Sequence, residues 1–271
     1  MGSTIVERSL RRLVRPRWTA ESERMDEPTV DPDLLAGNLA DLRRVNRDLG
    51  GTRLTQRAIA DLTTDLRPGD ELVVLDVATG SADIPAAVAQ WAQRRHLRCR
   101  CVATDLSPLV LQLARKWETT TPMRGATHVL FAAADGRALP IADGAVDVAM
   151  CSLALHHFQK ADAVTMLREM GRVARLGIVV NDLIRSWPGY LGAQLFGLTL
   201  TQNSLTRHDG PLSVRRAYTR AELRDLMERA ELQVTAAHTT LGYRVALAAH
   251  PRRQQHAGVL HQTMARARAG A

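Results

Sequence analysis

Residues 75–83 combine small and acidic side chains in a pattern that suits a ligand lying against the backbone. The segment reads LDVATGSAD and falls where a compact apolar run, typical of a buried strand, gives way to a helix. Its small residues, Ala78, Gly80 and Ala82, let the backbone approach a ligand closely, as a nucleotide-type cofactor requires at such a turn. Small residues also ease the packing of a helix on a strand, so the loop alone leaves both interpretations open.

A further acidic residue, Asp105, ends the next strand-like segment about 25 residues after Gly80. A carboxylate at the carboxyl end of a strand can accept hydrogen bonds from both hydroxyls of a ribose. Ser107 and Pro108 are suited to cap and begin the following helix, so Asp105 could also serve only as a capping residue. Its place at the end of a strand favours ribose binding. NAD-dependent enzymes share this feature, so it does not separate cofactor classes.

Two adjacent histidines, His156 and His157, follow the fourth predicted strand and are candidate catalytic residues. Histidine titrates near neutral pH and can remove a proton from a phenol or an activated carbon acid. The same position suits packing of the loop or contact with a substrate, so these roles stay open. The sequence predicts no metal site and no disulfide, because its cysteines lack metal-ligand spacing.

Strand-like and helix-like segments alternate along the chain from residue 72 onward. The predicted elements are a strand at 72–78, a helix at 83–95, a strand at 99–104, a helix at 108–117, strands at 128–134 and 146–153, a helix at 161–173 and a strand at 177–183. Apolar segments at 234–237 and 243–247 suit two last strands. This alternation predicts a doubly wound α/β sheet, in which ligands bind at the carboxyl ends of the strands.

The combined pattern resembles the class I S-adenosylmethionine (SAM)-dependent methyltransferases over residues 70–250. Asp76 stands two positions before the first small residue of the loop, as it does in that family. The segments ADGRALP at 134–140 and ADGAVDVAM at 142–150 match a further motif of the family, with an acid for the adenine amino group and an Asp-initiated fourth strand. The conjunction of these motifs distinguishes the chain from NAD-binding proteins.

The resemblance implies a Rossmann-like methyltransferase sheet of seven strands, the last antiparallel, and SAM as the cofactor. Ala78 and Ala82 stand where the commonest form of the family has glycine, and this variant is most similar to the ubiquinone and menaquinone C-methyltransferases. By resemblance, Asp105 holds the ribose, and Asp135 with Gly136 reads the adenine. The cofactor-binding residues implied in this way are Asp76, Ala78, Gly80, Ala82, Asp83, Asp105, Leu106, Asp135, Gly136 and Ser152.

We expect three segments along the chain. Residues 1–69 read as an N-terminal helical cover, residues 70–250 as the methyltransferase domain, and residues 251–271 as a basic, flexible tail. A helical insertion at 184–218 follows the fifth strand. Its apolar first half predicts a lid over a hydrophobic acceptor, although packing into the core would use the same residues.

The net charge of +8 raises the question of a nucleic-acid partner. The positive residues concentrate at the two ends of the chain, within 8–17 and 252–268, which favours solvated ends over an electrostatic patch for an acidic partner. Two motifs typical of nucleic-acid methyltransferases, Pro-Cys and Asn-Pro-Pro-aromatic, are absent from the expected positions. A nucleic-acid substrate is therefore disfavoured, with RNA methylation kept as a minor alternative.

The predicted function is methyl transfer from SAM to a small molecule, a phenolic, quinone-like or polyketide-type hydroxyl or an activated carbon. The alternatives are an NAD-dependent oxidoreductase and a methyltransferase-like binding protein without activity. No apolar run is long enough to span a bilayer, and charges occupy the place of a signal peptide's apolar stretch, so we expect a cytoplasmic protein. The sequence does not choose between oxygen and carbon methylation, and it does not predict an oligomeric state.

Overall fold

The computed structural model describes residues 15–120 and 129–252. Most of the predicted basic ends, residues 1–14 and 253–271, therefore lie outside the described residues.

A single sheet of seven strands organises the described part of the chain. The strands are β1 Glu71–Val77, β2 Arg98–Asp105, β3 Val129–Ala133, β4 Val146–Ser152, β5 Ala174–Leu183, β6 Leu232–Thr240 and β7 Arg244–Pro251. Their spatial order is β3-β2-β1-β4-β5-β7-β6. Strands β1 to β5 pair in parallel, and β7 is antiparallel to both of its neighbours. The predicted fold class is confirmed, with the strand order reversing between β1 and β4, where ligands bind in open α/β sheets.

Helices cover both faces of the sheet. In the described ranges they are α1 Pro32–Asp48, α2 Gly51–Leu62, α3 Asp83–Arg94, α4 Pro108–Thr120, α5 Lys160–Val173, α6 Trp187–Thr199, α7 Ser204–Arg216 and α8 Arg220–Arg229. Two 3₁₀ turns, Arg24–Asp26 and Leu155–His157, add short connections. The structure extends β5 and β6 beyond their predicted bounds, because a strand's paired ends need not be apolar.

The core has two layers, one on each face of the sheet, and β4 shows how the sequence fills both. Val148 and Met150 pack towards α2 and α3, whereas Ala149 and Cys151 pack towards α5 and α8. Successive side chains of a strand point to opposite faces, so a strand buried on both sides must be apolar at every position. This explains why β4 reads as a continuous apolar run after Asp147.

The N-terminal helix α1 and the insertion helices α6 and α7 lie over the carboxyl edge of the sheet. Helix α1 begins at Pro32, and the side chain of Asp31 caps it by accepting from the N–H groups of Asp33 and Leu34. A hydrogen bond of 3.1 Å from Asn38 Nδ2 to Thr206 Oγ1 joins α1 to α7. Segments distant in sequence thus form one cover. The helical insertion after β5 is confirmed, and the domain boundaries stay predictions.

Among the helices of the described ranges, none combines the length and the apolarity needed to cross a bilayer.

Candidate active site

The loops after β1 to β4 meet at one edge of the sheet, and a cavity of about 1190 Å³ lies over them. Leu42, Phe196 and Val214 belong to the opposite wall, which α1, α6 and α7 form. Asp76 and Ala82 are buried behind the first loop and do not line the cavity. The other sequence-predicted residues all line it: Ala78, Gly80, Asp83, Asp105, Leu106, Asp135, Gly136, Ser152, His156 and His157.

The loop after β1 has a backbone conformation that lets a ligand approach it closely. Ala78, Gly80 and Ala82 all have left-handed φ angles, of 55°, 55° and 56°. This region costs an L-residue about 1–2 kcal/mol, and only glycine adopts it freely. A Cβ atom added at Gly80 would meet nothing closer than Leu39, at 3.9 Å, so the space beside the loop is open. The two alanines thus share the backbone conformation of Gly80, and the loop fits a cofactor that lies against its backbone.

Asp76 is a buried acid with one unused oxygen. Its Oδ2 accepts a hydrogen bond of 2.6 Å from Thr79 Oγ1, whereas its Oδ1 has no partner among the described residues. Burial raises the pKa of Asp76 to about 8. A nearby positive charge would favour the ionised form of this carboxyl. The position therefore fits a cofactor that brings a cationic group to the loop.

Asp83 and Asp105 tie the first loop to its surroundings. Asp83 Oδ1 accepts from Ser81 Oγ at 2.6 Å, and its Oδ2 accepts from Asn46 Nδ2 of α1 at 3.0 Å. Asp105 accepts from the N–H groups of Gly80 and Ser107, at 3.1 and 3.0 Å. Burial raises the pKa of Asp105, whose oxygens keep lone pairs free for a ribose. The geometry is compatible with both capping and ligand binding, the two roles that the sequence left open.

Asp135 and Gly136 form the far rim of the cavity. Asp135 accepts hydrogen bonds from the backbone and guanidinium N–H groups of Arg137, which lower the pKa of its carboxyl. A Cβ atom at Gly136 would lie 2.7 Å from Val77 Cγ1 and 3.2 Å from Met166. Packing against the core therefore requires glycine at this position, a reason that the sequence did not indicate.

Carboxylates surround the two histidines at the other end of the cavity. A hydrogen bond of 2.7 Å joins His156 Nδ1 to Asp182 Oδ1, and one of the same length joins His157 Nδ1 to Asp26 Oδ2. Burial would lower the pKa of His156, but the carboxylates of Asp182 and Glu23 outweigh it and raise the pKa to about 10. A histidine held in the protonated form cannot accept a proton near neutral pH. The geometry therefore gives no support to His156 as a general base.

Several residues in or next to the site carry little local signal in the sequence. Glu23 and Asp26 come from the segment before α1 and meet the histidines across more than 130 residues. Asn181, at the end of β5, donates to Gly51 O and accepts from the fully buried Arg244 at 2.7 Å. The one available signal was the polar pair Asn181-Asp182 after an apolar run, since a polar residue at the carboxyl end of a buried strand tends to be functional.

The sequence of the sheet's first half matches a known family. Residues 74–177 match the family model described as a methyltransferase domain. Among curated proteins, no sequence matches this chain.

Solved structures of three methyltransferases share the fold. A SAM-dependent methyltransferase from Aquifex aeolicus is 16% identical, with a TM-score of 0.56 and coverage of 82% of this chain and 98% of that one. Magnesium protoporphyrin IX methyltransferase from Synechocystis PCC 6803, with bound S-adenosylhomocysteine, is 17% identical, with a TM-score of 0.52 and coverage of 74% and 84%. Human N-acetylserotonin methyltransferase in complex with SAM is 15% identical, with a TM-score of 0.57 and coverage of 81% and 56%.

Residues 74–177 thus match a methyltransferase domain, and the chain has the fold of known SAM-dependent methyltransferases, which indicates SAM as the cofactor. The alternative of an NAD-dependent oxidoreductase is set aside, because the family match is to a methyltransferase domain. The similarity to ubiquinone and menaquinone C-methyltransferases stays a hypothesis.

Proposed function

We propose that this methyltransferase acts on a small apolar acceptor, a phenolic, quinone-like or polyketide-type molecule methylated at a hydroxyl or an activated carbon. One observation carries the proposal: a single cavity of about 1190 Å³ joins the cofactor loops to the apolar helices. Pockets for one small ligand usually have about 300–1,000 Å³. The cavity therefore has room for a cofactor and an acceptor side by side.

The wall opposite the cofactor loops has the composition that an apolar acceptor needs. The wall includes an aromatic ring from α6 and a phenol from the turn before β7, and its charged residues, Glu23, Asp26, Glu27 and Asp41, are all acidic. Its apolar and aromatic members are Leu42, Val45, Leu49, Leu195, Phe196, Val214 and Tyr243. Burial of apolar surface against such a wall contributes roughly 25 cal/mol per Å². This composition disfavours a phosphate-rich acceptor such as RNA.

When bound, SAM supplies a methyl group on a positively charged sulfur. The residues of the chain act mainly by positioning, which contributes much of the rate enhancement when two ligands must meet in line. We infer that the loop at 78–82 receives the cofactor, that Asp105 accepts from its ribose and that Asp135 reads its adenine. Helices α1 and α6 cover the acceptor and limit the access of water.

The role of the histidines remains a proposal. His157 lines the cavity and its side chain is 19% exposed, whereas His156 is almost fully buried. Carboxylates surround both rings, so neither is a free base in this arrangement. If the acceptor needs a general base, His157 is the candidate, because it is the more exposed of the two histidines.

The substrates in the names of the structural neighbours support a small-molecule acceptor. One neighbour is named for N-acetylserotonin and another for magnesium protoporphyrin IX. At this level of identity the likeness shows only the fold, so the acceptor must be tested directly.

The test is turnover with a panel of acceptors. The purified protein would be incubated with SAM and with simple phenols, hydroquinones, aromatic polyketides and RNA, while S-adenosylhomocysteine formation and methylated products are followed by mass spectrometry. We expect methylation of at least one aromatic small molecule. Methylation of RNA alone would overturn the proposal, as would turnover only with small, highly charged acceptors.

A further inference from the structure

Glu23, His156 and His157 form a cluster in which three ligand atoms converge. The Nε2 atom of His156 lies 3.4 Å from Glu23 Oε1, and the Nε2 atom of His157 lies 3.6 Å from Glu23 Oε2. One ligand atom from each residue lies within 4.8 Å of the other two. Two ligands about 2.1 Å from one ion and at a tetrahedral angle are separated by about 3.4 Å. The spacing therefore matches that of ligands around a single ion.

The orientation of both rings is the one found in metal sites. Each histidine uses Nδ1 to bond a carboxylate, Asp182 for His156 and Asp26 for His157. Because a carboxylate accepts, each ring donates from Nδ1 and is left with Nε2 facing Glu23. Metal-bound histidines almost always donate their other N–H to a carboxylate, a carbonyl or water in this way.

Glu23 is a buried acid that lies among three cationic or imidazole groups, namely His156, His157 and Arg216. It is 2% exposed, and its Oε1 accepts no hydrogen bond from any described residue. Asp209 holds the segment in place by accepting from the N–H groups of Arg24 and Met25, both at 3.0 Å. The fold thus places a buried carboxylate, one oxygen of which accepts no hydrogen bond, against two imidazole nitrogens.

The charges around the cluster call for a divalent cation. Glu23, Asp26 and Asp182 are three carboxylates, and Arg216, whose Nε lies 3.8 Å from Glu23 Oε1, supplies one positive charge. The remaining charge is two negative units, and the two rings lie 4.6 Å apart between centroids, close enough for one ion to reach both. One divalent ion balances the same charge while both rings stay neutral.

From this geometry we propose that Glu23, His156 and His157 bind a divalent transition-metal ion of the Zn²⁺ type. Two imidazoles and one carboxylate form a donor set of catalytic zinc sites, which keep a further position open. The sequence predicted no metal, because Glu23 lies far from the histidine pair along the chain.

An ion at this site would face the acceptor. Glu23 and His157 both line the cavity, so an open coordination position points into it. A metal-bound hydroxyl loses its proton more readily. The ion would therefore activate a hydroxyl acceptor in place of a histidine base, and this consequence rests on the proposed function, whereas binding of the ion does not.

Binding can be measured without cofactor or acceptor. We would strip the full-length protein of metal with a chelator, titrate it with Zn²⁺ by calorimetry, and record the absorption spectrum with Co²⁺ in its place. We expect one equivalent to bind, with a Co²⁺ spectrum typical of nitrogen and oxygen ligands. The isosteric variant Glu23→Gln and the variant His157→Ala should each weaken binding by at least about 10- to 100-fold.

Two controls make the result decisive. His238 forms a similar pair with Asp61, at 2.6 Å, away from the cluster, so His238→Ala should leave Zn²⁺ affinity unchanged. Cys99 and Cys101, whose sulfur atoms lie 3.6 Å apart, are an alternative place for zinc, so Cys99→Ser should also retain one equivalent. Circular dichroism would check that each variant is folded.

The proposal is overturned if the protein binds no stoichiometric Zn²⁺, or if a folded Glu23→Gln variant binds it as tightly as the parent. Loss of the ion in Cys99→Ser alone would place the metal elsewhere and would equally overturn the assignment. If Zn²⁺ binds as expected but metal removal leaves turnover unchanged, the site stands and only its part in the reaction is rejected.

Discussion

The two walls of the cavity are built in different ways. The cofactor wall consists of strand-end loops whose acids Asp83 and Asp105 have fixed partners at 2.6–3.1 Å, with Asp76 buried behind them. The acceptor wall consists of helices whose contribution is apolar surface. Helix α6 has large exposed side chains: Leu195, 61% exposed, lines the cavity, whereas Leu198, 76% exposed, does not.

The cofactor wall is suited to recognise one fixed ligand, whereas the acceptor wall can accommodate different ligands. A hydrogen-bonded loop can bind only a ligand whose polar groups match it, because each buried polar group left unpaired costs free energy. An apolar wall accepts any molecule of suitable size and shape, so its residues can change without loss of the cofactor. Substitutions on the two walls should therefore have separable effects.

The largest effect is expected on the cofactor wall, from Asp105→Ala. The substitution removes the acceptor of the Gly80 N–H and, in the proposed binding mode, charge-assisted hydrogen bonds to the ribose. A loss of about 1.5–3 kcal/mol in SAM binding follows, which is roughly a 10- to 150-fold rise in Kd. Calorimetric titration measures it, with Asp225→Ala on α8 as the matched surface control. An unchanged Kd would remove Asp105 from the site.

On the acceptor wall, Phe196→Ala should lower kcat/KM for the acceptor and leave SAM affinity intact. The ring lines the cavity, and loss of part of its apolar contact is worth about 1–2 kcal/mol, or roughly 5- to 30-fold. Leu198 belongs to the same helix but does not line the cavity, so Leu198→Ala is the matched control. If both variants lower kcat/KM equally, α6 is not an acceptor wall.

A smaller effect concerns the pH dependence of cofactor binding through Asp76. Its pKa of about 8 lies far above the ordinary value, and a bound cation lowers it, so binding releases protons. SAM affinity should then rise with pH through the pKa, by up to about fivefold between pH 7 and pH 8. Titrations in buffers of different ionisation enthalpy would detect the release. The dependence should vanish in Asp76→Asn, and its persistence there would assign it to another group.

The smallest effect is expected from Ala78→Gly. Glycine adopts the left-handed backbone conformation without the strain of about 1–2 kcal/mol that alanine has there. The greater conformational freedom of glycine in the unfolded chain lowers the stability by about 0.5–1 kcal/mol. The free energy of unfolding in urea should stay the same or rise by up to about 1.5 kcal/mol. Ala89→Gly, in the regular helix α3, should lower it instead. Equal destabilisation by both changes would argue against strain at Ala78.

Much of the cofactor wall could be predicted from the sequence because its parts are local. The small residues of 78–82 and the acids beside them lie on one turn, and the position of Asp105 follows from the end of an apolar run. The family resemblance also implied seven strands with the last one antiparallel, as β7 is. The reason for Gly136 was missed, because only packing against Val77 and Met166 shows it.

The sequence by itself determined the elements of the sheet and the cofactor loop, because these depend on periodicity and on residues adjacent along the chain. Its resemblance to a known family implied SAM chemistry. Only the tertiary structure decided what surrounds the histidines and how the cover closes. Glu23, His156 and Asp182 meet because β4 and β5 end at one edge and because Asp209 fixes the segment before α1. Such contacts join groups separated by tens to more than a hundred residues, and no local pattern specifies them.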